Sequence, residues 1–147
     1  KSADFILYLD ASSNTTKKIL ASNSSFIERA MAIKAIPDTI ELYTGDGIAR
    51  MVVPSTLDGL KLNSIGAHVF TAGSSGNNTI MLYNETKSVD ILTTGVIIEV
   101  SETDSSTSGT PPLISANNTV NTADVLRIDV DTKSTGAKGL EVRMTFK

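Results

Sequence analysis

The chain has 147 residues, 40% hydrophobic and 20% charged, with a net charge of −3 and no cysteine. That length suits one domain, or one domain with an appended segment, and can bury a sizeable core. The charge balance, without a basic stripe, argues against nucleic-acid binding, which needs clustered Lys and Arg on the phosphates, and the missing cysteine removes disulfides, thiol nucleophiles and thiolate metal sites.

Taken in chain order, DFILYLD (4–10) reads as a strand, ASSNTT (11–16) as a polar turn, and KKIL (17–20) as a returning strand. Lys17 and Lys18 then sit in a solvated turn region rather than in a basic patch. Ser25 and Glu28 form a capping-box pattern, and the Ala, Met and Glu that follow favour helix, so a short helix near 24–31 is expected. The competing reading is a strand through Ala30–Ile36 with Met31 and Ile33 on one face. From Pro37 onward the pattern is β. TIELY (39–43) is a short strand, TGDG (44–47) a tight turn, and IARMVVP (48–54) a strand stopped by Pro54.

Ile65, Ala67 and Val69 share one face of the next strand. The Gly- and Ser-rich TAGSSGNN (71–78) reads as a hairpin tip leading to TIMLYNET (79–86). VDILTTGVIIEV (89–100) holds a turn and a strand, and SETDSSTSGTPP (101–112) is a long polar loop. The last two strands show strict alternation. Leu126, Ile128 and Val130 alternate with Arg127, Asp129 and Asp131; Leu140, Val142, Met144 and Phe146 alternate with Glu141, Arg143, Thr145 and Lys147. Period two places one face of each strand in a core and the other in water. Short strands at regular spacing with Gly-rich turns predict an antiparallel β-sandwich, in a mainly β chain with a short N-terminal segment of hairpin, short helix or both. Residues 1–36 are expected to form an N-terminal segment, and residues 37–147 the β-sandwich domain.

Asp129 and Asp131 are the candidates for chemistry. On one face of a strand they stand about 7 Å apart, a spacing that could flank a glycosidic bond or hold a hard cation such as calcium. The structural reading is an amphipathic strand whose acids meet Arg127 or Arg143 across paired terminal strands. His68, the single histidine, lies between Ala67 and Val69 and reads as a structural or surface residue rather than a catalytic one or a ligand. A phosphate cradle needs a helix N-terminus, which TAGSSGNN lacks. TGDG and ETDSS fall short of a calcium loop. Asn-X-Ser/Thr sequons stand at Asn14, Asn23, Asn77, Asn84 and Asn117, a pattern that a chain rich in Asn, Ser and Thr produces by composition. Few aromatics and no Trp weigh against a sugar-stacking platform. No apolar run approaches the roughly 20 residues of a membrane span, and no signal-peptide pattern opens the chain. The start at Lys1 reads as processed, trimmed or the edge of a longer chain.

The stretches TGDGIARMVVPSTLDGLKL, IGAHVFTAGSSGNNTIMLYNETKSVDILTT, ETDSSTSGTPPLI and ADVLRIDVDTKSTGAKGLEVRMTF, which cover most of residues 44–146, resemble a β-domain found in virion proteins of tailed bacteriophages. DFILYLDASSNTTKKILASN resembles the leaders of some fibre and head-fibre proteins, which implies that residues 1–36 are an attachment or oligomerisation segment. The resemblance implies a jelly-roll-like sandwich in a head-decoration, head-fibre or tail-associated protein. It implies a homotrimer on the particle exterior, made in the host cytoplasm, with other virion proteins such as the major capsid protein as partners. It brings no catalytic, cofactor-binding or metal-ligating residue onto this chain, so Asp129 and Asp131 remain the cation candidates. The expectation is therefore a non-enzymatic structural protein. A tail-fibre module binding a receptor or host surface glycan through 71–78 and 101–112 is the alternative, and a glycan depolymerase using Asp129 with Asp131 or Glu141 the third reading.

Overall fold

The structure is a computed structural model; it describes residues 28–147 in full and, before them, the backbone of residues 5–10 and 15–20. In that N-terminal part, β1 (Phe5–Asp10) pairs antiparallel with β2 (Thr15–Leu20), Tyr8 opposite Lys17. This is the hairpin read from the sequence.

The remaining strands build two facing sheets. β3 (Arg29–Glu41), β12 (Lys138–Phe146) and β5 (Leu62–His68) form one, with β12 central. β4 (Gly45–Val52), β11 (Val125–Thr132) and β6 (Asn78–Asn84) form the other, extended beyond β6 by β7 (Val89–Asp90) and β9 (Val96–Ile98). β8 (Leu92–Thr94) pairs with β10 (Leu113–Ile114), and β10 packs against β5. The partnerships are nested: β3 with β12, β4 with β11, β5 beside β10, β6 with β9. A chain folded as one long hairpin and wrapped so that its strands alternate between two sheets is a jelly roll. The fold class expected from the sequence is the one observed.

The core lies between the sheets. Leu140, Val142, Met144 and Phe146 from β12 and Leu126, Ile128 and Val130 from β11 are all buried, against Ile65, Ala67, Ile80, Leu82, Val96 and Ile98. The inward face of each strand is the one its alternation marks.

Four expectations are corrected. Residues 28–31 are not helical: Arg29, Ala30 and Met31 lie in β3, opposite Phe146, Thr145 and Met144. Pairing with the central strand overrides local helix propensity, as tertiary context commonly does. Residues 24–27 of that expected helix, and its Ser25 cap, lie outside the described residues. Next, β5 and β6 are not a hairpin. TAGSSGNN carries the chain from one sheet to the other, with Ser74 N donating to Thr135 O at 2.9 Å. Likewise β11 and β12 do not pair. Residues 133–137 cross between the sheets, so Arg143 is nowhere in the ladder of Asp129. TGDG opens β4 rather than turning a hairpin.

The 36/37 boundary placed between segment and domain falls inside β3, whose Ile36 is fully buried in the core. The strand continues past it over a bulge, where Gly139 has φ +67° and the Asp38 backbone lies so close that an added Cβ would stand 2.8 Å from Asp38 Cα. Only glycine fits that position.

Candidate functional site

The solvent-side face of β11 carries the residues singled out by sequence, and the structure separates them. Asp129 is not on a wet face: it is only 5% exposed. Arg127, two residues back on the same face, grips it from the side, with Nη2 donating to Oδ2 at 2.8 Å and Nε 2.7 Å from Oδ1. The Gly47 amide donates to Oδ1 at 2.6 Å. Gly47 can aim its N–H this way because its φ is +70°, and an added Cβ there would collide with the Arg50 guanidinium. The opposing register of β11 and β4 slips between Ile128 and Val130, which is where this contact forms.

The network spreads from Arg127. Its guanidinium stacks 4.4 Å over the Tyr83 ring and approaches Asp46 (3.4 Å) and Glu85 (3.7 Å). Arg50, directly opposite Arg127 in the ladder, donates through Nε to both Glu85 oxygens at 3.0 and 3.1 Å. That hydrogen bond holds the Glu85 carboxyl below the usual carboxylate range, against the effect of burial. Two arginines facing each other across a ladder would repel; Glu85 between them resolves the conflict. Asp129 is thus held by one charge-assisted hydrogen bond from Arg127 Nη2, by the nearby charge of Arg127 Nε and by a backbone donor, a structural anchor for the β4–β11 junction.

Asp131 is exposed and shares no ligand geometry with Asp129. Partial burial of its carboxyl, then the negative charges of Asp129, Asp46 and Asp90, push its pKa above the ordinary value. Among the described residues no three His, Asp or Glu side chains converge closely enough to hold a metal ion. A carboxylate with a raised folded pKa costs stability while ionised, and the folded state regains it as the pH falls through that pKa toward the ordinary value of 3.8. Asp131→Asn is therefore expected to stabilise the protein at neutral pH by a few tenths of a kcal/mol, small because solvent screens an exposed group. The gap between the melting curves of variant and wild type should close on acidification; a gap that widens would show the charges do not repel.

On the other sheet, His68 is half-buried, with Nδ1 3.6 Å from Asp104 Oδ2; Arg143 Nη2 donates to the same oxygen at 2.5 Å. Burial alone would raise the Asp104 carboxyl, but the Ser106 amide and Arg143 hold it below the usual range. Asp104 also caps the 3₁₀ turn Ser105–Thr107. The polar loop expected at 101–112 is thereby stitched to β5: Val69 N donates to Thr103 O at 2.8 Å and Ala67 N to Ser105 Oγ at 2.9 Å. A shallow hollow of about 570 Å³ lies alongside, over Ala30, Ala32, Ser64, Gly66, Arg143 and Thr145.

Sequence reasoning passed over Asp124. It is 4% exposed and accepts from Asn84 Nδ2 (2.9 Å) and the Asn121 amide (2.9 Å), with Lys87 Nζ 3.0 Å away. Asn84, a sequon residue, is fully buried in this contact, while Asn77 and Asn117 are exposed; Asn14 and Asn23 lie outside the described residues.

No family model matches the chain, and no curated protein matches it. Among solved structures, the structure of infectious bursal disease virus, Gx strain, aligns with 97% of this chain and 37% of its own, at 13% identity and a TM-score of 0.38. The chain thus spans well under half of that neighbour, and the jelly-roll assignment rests on strand pairing instead.

Proposed function

We propose that this protein is a non-enzymatic structural component of a bacteriophage virion. In this reading it is a capsid decoration or head-fibre protein that attaches to the particle exterior in symmetric copies. The observation that carries the reading is how the polar constellations are used. Asp129, one of the two candidates for chemistry, is bonded into the scaffold, as are Asp124 and Asp104. The side chains that could have formed a site instead lock strands and loops together. What remains for function is surface, presented by a rigid jelly roll, a fold that recurs in capsid and lectin domains. The fold-level step is analogy; the ordered virion-like stretches over 44–146 point the same way. Many copies on one particle turn weak contacts into firm attachment.

The test is reconstitution. Particles of the parent phage lacking this chain are incubated with the purified protein, and binding is read by co-sedimentation and electron microscopy of the labelled protein. Regular decoration of the particle surface is the expected result. Failure to bind, together with cleavage of bacterial surface polysaccharide, would replace this reading with the depolymerase. Failure to bind particles, together with polysaccharide binding lost on replacing residues 71–78 or 101–112, would replace it with the tail-fibre module.

A further inference from the structure

Two Asp-Gly pairs stand in the chain, Asp46–Gly47 and Asp58–Gly59. Such a pair carries a latent reaction. The glycine amide nitrogen attacks the side-chain carboxyl carbon of the aspartate before it; a C–N bond forms and water leaves. The cyclic imide then takes up water at either carbonyl, which returns aspartate or gives isoaspartate. Glycine obstructs this closure least, because it has no Cβ. No oxidant, enzyme or cofactor is consumed. The backbone has only to swing the amide nitrogen onto the carboxyl carbon, so a fold sets the rate by how firmly it holds each glycine amide.

The two pairs are held differently. At Asp58–Gly59 main-chain groups do the holding: Gly59 N donates to Val120 O at 2.9 Å, and Thr122 N donates to Asp58 Oδ1 at 2.9 Å. At Asp46–Gly47 the ladder is interrupted. Asp46, Gly47 and Ile48 of β4 stand opposite Asp129 alone, between the pairs Ala49–Ile128 and Gly45–Val130. A bulge of this kind leaves backbone groups without ladder partners. The Gly47 amide is satisfied by a side chain instead, Asp129 Oδ1 at 2.6 Å. The Asp46 side chain is 75% exposed, with Arg127 Nη2 3.4 Å from its carboxylate. β4 is also the rim strand of its sheet, and rim elements open locally more readily than central ones.

We propose that Asp46–Gly47 is the site at which this protein ages by isomerisation, and that the Asp129–Gly47 hydrogen bond is the latch that slows it. Asp129 then has a chemical role as well as a structural one: ring closure cannot begin until Gly47 N leaves its carboxylate. Isoaspartate at position 46 lengthens the β4 backbone by one methylene and carries Gly47 away from Asp129, so the product undoes the contact that delayed it. The inference is independent of the attachment proposed above.

The test is prolonged incubation of the full chain at neutral pH and physiological temperature. Isoaspartate is read at each site by enzymatic methylation and peptide mass spectrometry, with the urea-unfolded chain as reference. In the unfolded chain the two sites should react at similar rates; in the folded protein Asp46 should outpace Asp58. Asp129→Ala should speed reaction at Asp46 about tenfold, the change in open population on losing one hydrogen bond to a charged group, and leave Asp58 unmoved. Asp58 thereby reports on global unfolding within the same sample. Asp46→Glu should abolish the signal from its peptide, since the larger ring closes far less readily. Where Asp129→Ala unfolds, both sites accelerate together, and Asp129→Asn decides: it keeps an acceptor for Gly47 N without the charge, and should speed Asp46 by less than tenfold with Asp58 unchanged. A folded Asp129 variant whose Asp46 reacts no faster than in wild type overturns the latch. Wild-type protein in which Asp58 reacts first, or in which Asp46 reacts as fast folded as unfolded, overturns the assignment of the site or of its protection.

Discussion

Val142→Asp is expected to leave no soluble, cooperatively melting protein. Val142 is fully buried on β12, the central strand of its sheet, with Ile33 on one side and Ala67 on the other in the ladder. Its side chain enters the space between the sheets, where Met144 and Leu140 flank it on the same face. A carboxylate there meets no described cation. Desolvating an unpaired charge costs far more than a neutral polar group, and even the protonated acid leaves its hydroxyl without a partner. Single domains hold only about 5–15 kcal/mol of stability in total, and an unpaired buried charge is one of the few changes that consumes most of it. Val142→Ala is the calibrating variant. It removes two methyl groups and should cost roughly 2 kcal/mol, leaving a soluble domain with a lowered melting temperature. Soluble fraction and thermal melting by circular dichroism decide the matter. A Val142→Asp protein that melts cooperatively near the wild-type temperature would mean that β12 does not face the core as described.

That prediction was available from the sequence, because alternation declares which face of a strand is buried. Leu140, Val142, Met144 and Phe146 are inward as their spacing requires. Alternation is silent about neighbours. β11 and β12 follow one another with a Gly-containing connection between them, which read locally is a hairpin, yet their partners lie far away in sequence: Asn84 and Met51 for Leu126, Ile65 and Met31 for Met144. A jelly roll is assembled from such distant pairs, and no short window contains the information that selects them. The jelly-roll expectation came from resemblance, whereas the residues themselves led only to a sandwich.

The same limit hid the site. Period two sends Asp129 outward with Arg127, and outward it points; it is buried because Gly47, on a strand paired across the ladder, bends over it. The turn reading of TGDG recognised the backbone freedom of its glycines but had no means of seeing where Gly47 would aim its amide. Glu28 through Met31 failed in the opposite direction. Their helical composition was legible, while the demand of β12 for a strand partner was not.

The second large effect belongs to Asp124, where the local sequence offered only a polar run, NNTVNTAD. Its carboxylate ties together the end of β6 through Asn84, the following turn through Lys87, and the loop before β11 through the Asn121 amide. Its own backbone carbonyl accepts from Val53 N at 2.8 Å, just beyond β4. Burial acting alone would raise the carboxyl's pKa, but the hydrogen bonds from Asn84 and Asn121, with the Lys87 ammonium, hold it below the ordinary 3.8. Asp124→Ala strands the buried Asn84 amide and the Asn121 N–H, while Lys87 keeps the Thr119 carbonyl and the Asn121 side chain. Removing one member of a buried, charge-assisted network costs about 3 kcal/mol, which for a chain of this length lowers the melting temperature by roughly 10 °C. The pH dependence separates this account from simple loss of packing. A carboxylate whose folded pKa is depressed contributes its full stability above the unfolded value and loses it as the pH falls through the folded one. The difference between wild type and Asp124→Ala should therefore be constant from neutral pH down to about 4 and shrink below that, within the window under 3.8. Asp124→Asn, which keeps an acceptor for one of the two donors, should recover about half of the loss and show no such shrinkage from its own side chain. Urea denaturation of the three proteins across that range supplies the numbers. A wild-type advantage that persists undiminished into strong acid would mean that the charge of Asp124 is not what binds these three segments together.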